Sequence, residues 1–333
     1  DQYKLKVKAI LNAIGNYVYS NLKSNKIIET NTFGETSITQ SDYKLEHLVE
    51  KMNIESVKAV KQAINESNSD IDKSKIFIAG AMGPTNRTAS ISPDVEDPGK
   101  RNVTFDELVN AYYVQAKSLL DGGVDIFLPE TTFDTLNLKA ALFALENLFE
   151  EVGERSPVFI SVTFSDKSGR TLSGQTIRAF WESIRHSNPY SVGMNCGLGA
   201  ESLIGYVKEL KNYVDCKVLC YPNAGLPNPL SDTGYDELPE DTAKALTPYF
   251  ENNILDFVGE NYVSISMDQS WSPDGTKVSF SEYLFGGMIG MFFSITTTTM
   301  FFLELFPIFL AVIWWFCKSC VLLAMAFVYS FAC

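Results

Sequence analysis

The sequence has 333 residues, a formal net charge of −13, six cysteines and two histidines. So acidic a chain is not expected to bind nucleic acid, or anionic lipid by charge alone, because both are negatively charged. The polar part has no paired cysteine framework and the N-terminus has no cleavable-leader pattern, so we expect a reducing, cytoplasmic compartment.

Helices and strands alternate along the first 260 residues. An amphipathic pattern predicts a first helix over residues 1–25. Short apolar runs predict strands over residues 26–33, 75–82, 125–130, 158–164, 191–196, 217–221 and 254–258. The segments between them predict helices near residues 45–65, 104–121, 137–150, 174–186, 202–213 and 241–252. The spacing of Thr104 and Glu107 is that of a capping box at the start of one helix.

This alternation indicates βα units and a parallel sheet. We predict an α/β fold, specifically a (β/α)₈ TIM-type barrel, rather than a doubly wound sheet. A doubly wound sheet would usually carry a glycine-rich nucleotide fingerprint, which the sequence does not show. Seven strands are one short of a barrel, and the missing strand would precede the first helix. The chain is therefore expected to lack the first barrel strand.

Functional groups of such barrels collect at the carboxyl ends of the strands. The candidate substrate-binding residues at those ends are Glu29, Asn31, Thr32, Glu130, Asn195 and Asn223. Gly83, Thr131 and Thr163 lie at the same level. Two carboxylates could bind an ammonium group. Each residue alone could instead only cap a loop.

Cys196 is the candidate metal ligand. It follows the apolar run that starts at Val192 and precedes Gly197, and the run Val218–Cys220 leads in the same way into Asn223 and Gly225. A thiol at the end of a strand is a natural metal ligand or nucleophile. The alternative is a buried structural cysteine.

The composition changes after about residue 260. Residues 284–303 contain no charge, and after Glu304 a second apolar stretch runs to Cys333 with Lys318 inside it. Twenty apolar residues can cross a hydrocarbon core of roughly 30 Å. We therefore divide the chain into a barrel over residues 1–260 and a tail over 261–333, with membrane contact expected through residues 284–333. The alternative is that this tail is not native coding sequence.

Several long motifs together resemble one known family. They are Ile28–Gly34, Gly80–Asn86, Ser90–Asp94, Glu130–Thr135, Ser165–Gly174, Gly193–Cys196 and Tyr221–Asn228. In this order they resemble the homocysteine-binding domain of cobalamin-dependent methionine synthase, over about residues 26–259. The stretch from Gly80 to Asp94 is more similar to methionine synthase than to the betaine or S-methylmethionine enzymes.

The resemblance implies a barrel in which zinc binds homocysteine as a thiolate, and the sulfur takes a methyl group from methylcobalamin held by another module. Cys196 matches the first zinc cysteine, Glu130 matches a residue expected to hold the substrate ammonium, and Asn223 lies in the loop beside the metal. Cobalamin and methyltetrahydrofolate are implied only through modules outside this sequence. Homocysteine and the cobalamin-binding module are the implied partners.

The sequence also departs from the family. The two further zinc cysteines, expected in a Gly-Gly-Cys-Cys-Gly run after the last strand, are replaced by Gly259–Val263. Cys216 and Cys220 lie on the wrong element to substitute for them. One thiolate does not make the three-ligand site that zinc catalysis normally needs. An incomplete or mis-spliced gene model accounts for these departures better than an evolved membrane enzyme.

Three hypotheses remain at the level of sequence. The chain represents a methionine synthase homocysteine domain, impaired in this form. Alternatively it is a non-catalytic barrel that binds a small amino acid or a partner. The third alternative is a membrane-tethered barrel with altered chemistry.

Overall fold

A computed structural model describes residues 26–66, 72–164, 166–225, 237, 239–259, 267–271 and 278–282. The helix predicted over residues 1–25 and the apolar segments predicted over 284–333 lie outside the described residues.

The described residues form nine strands and seven α-helices, and the first seven strands alternate with helices as predicted. The strands are β1 Lys26–Glu29, β2 Ile76–Met82, β3 Ile126–Pro129, β4 Phe159–Val162, β5 Ser191–Gly199, β6 Lys217–Asn223, β7 Phe257–Val258, β8 Met267–Trp271 and β9 Val278–Glu282. The helices are α1 Ser37–Gln40, α2 Val49–Glu66, α3 Phe105–Gly122, α4 Thr135–Val152, α5 Ile177–Ile184, α6 Ala200–Lys211 and α7 Pro239–Glu251.

Strands β1 to β7 are parallel and lie in sequential order. Strands β1, β2 and β3 pair in one sheet, and β4 to β7 pair in a second. Parallel bridges from Phe127 to Val158 and from Thr132 to Val162 join β3 to β4, so the two sheets form one wall. This confirms the predicted parallel α/β architecture. No pairing of β7 with β1 occurs among the described residues, so the closed eight-stranded barrel stays a prediction.

The two faces of this wall differ in character. Residues such as Ile78, Phe127, Ile160 and Val218 point outward and are buried in the main core with the helices. The alternate residues form a smaller apolar cluster on the inner face, made by Ala79, Ile126, Leu128, Phe159, Leu219 and Tyr221. Because side chains alternate along a strand, the next inner position lies two residues beyond each of these apolar residues, toward the carboxyl end. These positions are available for polar groups.

Two aspartates begin strands in the same way. The Asp125 backbone N–H donates to the Ile78 carbonyl oxygen at 2.8 Å, and its carboxylate accepts the Ile78 N–H at 2.7 Å. In the same way, the Asp256 N–H donates to the Val218 carbonyl oxygen at 2.8 Å, and its carboxylate accepts the Val218 N–H at 2.9 Å. Each aspartate thus satisfies both backbone groups of a residue on the neighbouring strand, and this fixes the register at the start of β3 and of β7.

Strand β1 ends at Glu29, four residues before the predicted end. The reason lies in the Thr30 hydroxyl, which accepts the Ala81 N–H at 3.1 Å in place of a backbone carbonyl. The predicted capping box is confirmed, since the Thr104 side chain accepts the Glu107 N–H and the Glu107 carboxylate accepts the Thr104 N–H. Gly123 ends that helix in the left-handed conformation, with φ of 86°.

Strands β8 and β9 pair antiparallel beyond residue 260. None of the helices in the described part of the chain is long and apolar enough to cross a membrane. The division at residue 260 and the membrane contact through residues 284–333 stay predictions.

Candidate functional site

A buried carboxyl group lies at the centre of the inner face. Glu130 directly follows β3, and only 6% of its surface is exposed. Burial, followed by the nearby carboxylate of Glu29, raises the pKa of Glu130 well above its usual value. Burial also raises the pKa of Glu29, at the end of β1. Residue Glu29 is exposed to solvent, whereas Glu130 is buried.

A chain of three side chains leads away from Glu130 across the inner face. The Tyr221 hydroxyl lies 3.2 Å from Glu130 Oε2 and 2.5 Å from Ser161 Oγ. Ser161 Oγ lies 2.8 Å from Asn195 Oδ1. Tyr221, Ser161 and Asn195 are all buried. The residue after β3 and one residue each on β4, β5 and β6 therefore form one continuous polar chain.

Asn195 ends this chain by binding Thr131, the residue after Glu130. Its Oδ1 accepts the Thr131 N–H at 3.1 Å, and its Nδ2 donates to Thr131 Oγ1 at 2.8 Å. Thr131 has φ of 53°, a left-handed conformation that is unfavourable for a β-branched residue. Asn195 thus supports a strained backbone next to the buried carboxyl group.

Cys196 and Asn223 form a second pair at the ends of β5 and β6. The Asn223 Nδ2 donates to Cys196 Sγ at 3.8 Å, and Cys196 is half-buried with φ of 55°. Asn223 is buried, and its Oδ1 has no hydrogen-bond partner among the described residues. A buried unpartnered amide oxygen beside a thiol leaves one acceptor available for a ligand.

The other two predicted site residues belong to the backbone network after β1. The buried Thr32 hydroxyl donates to the Ala81 carbonyl oxygen at 2.7 Å, and the Thr32 carbonyl accepts from Gln115 at 2.7 Å. The carbonyl of Asn31 accepts from Ser56 Oγ at 3.4 Å. These bonds hold the loop after β1, and a substrate contact for either residue stays a prediction.

An open groove lies beside this site. It has a volume of about 530 Å³ and is lined by Ser90, Ile91, Ser92, Asp94, Val95, Pro98, Leu172, Ser173 and Gly174. None of the predicted site residues lines it. The predicted site residues therefore lie outside this groove, in and around the buried polar chain that starts at Glu130.

Comparison with known proteins decides the family. The model of the family described as homocysteine S-methyltransferase matches residues 8–260. The chain belongs to this family. The resemblance inferred from the sequence motifs is confirmed at this level, and the family match begins before residue 26, where that resemblance began.

Solved structures agree with this assignment. The metallated form of the homocysteine methyltransferase MmuM from Escherichia coli matches with a TM-score of 0.51 and 19% identity, over 77% of this chain and 82% of that chain. The oxidized form matches with a TM-score of 0.55 and 16% identity, over 78% of this chain and 83% of that chain. At this identity the likeness shows a shared fold.

The residues that the structure describes do not fit a catalytic zinc ion. Cys196 is a suitable donor, but its neighbour Asn223 presents an amide nitrogen to the sulfur. Among the described residues no group of three His, Cys, Asp or Glu side chains could hold a metal. Cys220 is fully buried in the outer core, and burial raises its pKa to about 12, whereas a ligand must be a thiolate. No cysteine occurs between Cys220 and Cys317.

Sequence reasoning missed Ser161 and Tyr221. Both lie two residues before positions that it did identify, Thr163 and Asn223, on β4 and β6. A period of two along each strand places such residues on the same face. Extending the inner face by that period would have found both.

Proposed function

We propose that this chain is a homocysteine-binding domain that holds the amino group of its substrate at Glu130 and Glu29. The buried carboxyl group of Glu130 carries this proposal. Ammonium groups bind well where carboxylates are shielded from water, because charge-assisted hydrogen bonds are then strong. Family membership supports homocysteine as the substrate.

The remaining polar groups suit the other end of the same molecule. The free acceptor of Asn223 and the thiol of Cys196 lie on the neighbouring strands β5 and β6. Strand β4 separates them from β3, which Glu130 follows. Homocysteine is a small amino acid with a thiol at its far end. We infer that its sulfur lies toward Cys196 while its amino group lies toward Glu130.

We propose further that the domain is of the methionine synthase type, as the motif from Gly80 to Asp94 suggests. The methyl donor would then reach it on a cobalamin-binding module. Methyl transfer in this form of the chain is expected to be impaired, because the described residues do not supply the ligands of a catalytic zinc. Binding of homocysteine does not depend on those ligands alone.

Isothermal titration of the full chain tests the proposal. L-homocysteine is compared with its desamino analogue, in which hydrogen replaces the amino group. We expect binding of L-homocysteine and loss of at least about tenfold in affinity for the analogue, the scale of one charged hydrogen bond. Equal affinity for the two compounds would exclude Glu130 and Glu29 as the ammonium site, and no binding of either would exclude the proposed function.

A further inference from the structure

The hydrogen bonds around Glu130 carry information about its proton. The orientation of the Asn195 amide is fixed, because a backbone N–H can only donate. The atom that faces the Thr131 N–H must therefore be Oδ1, as the structure has it. Asn195 Oδ1 accordingly has no hydrogen to offer to Ser161.

The two shortest contacts then use both hydroxyl hydrogens. At 2.8 Å, Ser161 Oγ must donate its hydrogen to Asn195 Oδ1. At 2.5 Å, the contact between Ser161 Oγ and the Tyr221 hydroxyl also needs a hydrogen, and only Tyr221 can supply it. Tyr221 then has no hydrogen left for Glu130, whose Oε2 lies 3.2 Å away.

An ionised Glu130 would thus face the lone pairs of a phenol oxygen inside the protein, with no other described side chain donating to it. Such an arrangement is costly for a buried charge. A neutral Glu130 removes the conflict, since its carboxyl proton can point to the Tyr221 oxygen. All three contacts are then satisfied by three hydrogens.

We propose that Glu130 is a neutral carboxylic acid in the ligand-free protein, and that Tyr221 and Ser161 are positioning residues that form a reversible hydrogen-bond relay for it. In the neutral state the hydrogens point from Glu130 to Tyr221, from Tyr221 to Ser161 and from Ser161 to Asn195. When Glu130 ionises, its proton leaves to water through the inner space where Glu29 is exposed. The Tyr221 hydrogen turns to Glu130 and the Ser161 hydrogen turns to Tyr221. The Thr131 N–H, 3.1 Å from Asn195 Oδ1 and 3.3 Å from Ser161 Oγ, then remains the one hydrogen between these two oxygens.

The ionisable groups around Glu130 agree with this state. Glu29 on β1 faces it as a second carboxylate, and the hydroxyl of Tyr221 on β6 faces it as a neutral group. Tyr112 on α3 and Asp134 line the same small cavity. The Tyr112 hydroxyl donates to the Gly83 carbonyl oxygen, and the Asp134 carboxylate accepts the Ser90 N–H and hydroxyl. At this level β2, β4 and β5 contribute Met82, Ser161 and Asn195, none of which ionises. Burial and Glu29 both raise the pKa of Glu130, in the direction that the contacts require.

The relay predicts opposite effects for two substitutions. Ser161→Ala removes the acceptor of the Tyr221 hydrogen, so Tyr221 donates to Glu130 permanently and the pKa of Glu130 falls. Tyr221→Phe removes the donor that an ionised Glu130 would use, so the pKa of Glu130 rises. We expect shifts of about one unit or more in each direction, as is usual for hydrogen bonds to a buried carboxylate.

Carbon NMR of the glutamate carboxyl groups in the ligand-free full chain measures this directly. The Glu130 signal is the one missing from Glu130→Gln, and it should titrate well above an ordinary glutamate. The matched controls are Ser183→Ala on α5 and Tyr213→Phe in the turn after α6, whose hydroxyls bond to groups four residues earlier in the chain, and they should leave it unchanged. Titration of Glu130 with the ordinary carboxyl groups, or shifts of the same sign in Ser161→Ala and Tyr221→Phe, would overturn the relay.

A second measurement distinguishes the relay from the proposed homocysteine binding, since the choice of ligand rests on that proposed function. L-methionine has the same amino group as homocysteine but no thiol proton. Its binding is followed by calorimetry in two buffers of different ionisation enthalpy, at a pH below that at which Glu130 titrates in the ligand-free chain. It should release about one proton per ligand. If Glu130 titrates as expected but neither amino acid binds, the proposed function fails and the relay stands. Binding without proton release, from a Glu130 of ordinary pKa, would retain the function and refute the relay.

Discussion

The amide of Asn195 binds both the backbone N–H and the hydroxyl of Thr131, at 3.1 Å and 2.8 Å. This pair connects β5 to the residue that follows Glu130. It holds Thr131 in a left-handed conformation that costs on the order of 1–3 kcal/mol. Strain of this kind persists only where neighbouring bonds over-determine the backbone, and here it lies next to the buried carboxyl group.

Replacement of Asn195 by alanine should therefore affect both stability and binding. It removes three hydrogen bonds, two with Thr131 and one with Ser161, and leaves the Thr131 N–H only its longer bond to Ser161 Oγ at 3.3 Å, so we expect a loss of about 2–4 kcal/mol in the free energy of unfolding. Homocysteine affinity should fall as well, because Glu130 loses its support. Urea denaturation measures the first effect and calorimetry the second. Asn110→Ala, on the exposed face of α3, is the control, and equal behaviour of the two variants would contradict the account.

Asp256 should make stability depend on pH in the acid range. Burial would raise its pKa, but bonds from Lys217, the Val218 N–H and Lys211 outweigh this and lower the pKa to about 2. The carboxylate therefore contributes stability above the ordinary pKa of aspartate, and this contribution is lost as the pH falls toward about 2.

Asp256→Asn tests this contribution. It keeps one acceptor for Val218 but loses the charge, so we expect a loss of about 1–2 kcal/mol at neutral pH. The difference from wild type should shrink as the pH is lowered from about 6 to about 3. Urea midpoints over that range give the result, with the exposed Asp121→Asn as a control. A difference that is constant with pH would show that the carboxylate charge is not involved.

Glu35 should act in the opposite sense. It is 2% exposed, its Oε2 has no hydrogen-bond partner among the described residues, and burial raises its pKa to about 8. The folded protein thus binds more protons than the unfolded chain between the ordinary glutamate pKa and about 8. Stability should fall as the pH rises through this window.

Glu35→Gln should reduce that slope and stabilise the protein by a few kcal/mol at about pH 8, since a neutral amide has no charge to desolvate. Glu29 and Glu130 titrate in the same direction and leave part of the slope. Thermal or urea unfolding between about pH 5 and 8 measures it, with the exposed Glu50→Gln as the comparison. A Glu35→Gln variant that is less stable than wild type at about pH 8 would contradict the raised pKa of Glu35.

The sequence predicts the parallel α/β fold well because each strand carries an apolar run and each helix a periodic face. Glu130 and Asn195 could be placed at strand ends from this pattern alone. Their bond through Ser161 and Tyr221 could not, because it depends on the registers of four strands. The early end of β1 was also missed, because the Thr30 hydroxyl replaces a backbone acceptor there. The local sequence pattern does not indicate when a side-chain hydroxyl will take the place of a backbone acceptor.

The central claim is that Glu130 holds the amino group of homocysteine. Equilibrium dialysis of labelled L-homocysteine against the full chain, Glu130→Gln and the exposed control Glu150→Gln tests it most directly. We expect wild type and Glu150→Gln to retain the ligand equally. Glu130→Gln should bind it about 10- to 100-fold more weakly, because a neutral amide replaces a charged partner of the ammonium group. Equal retention by Glu130→Gln and wild type would contradict the account.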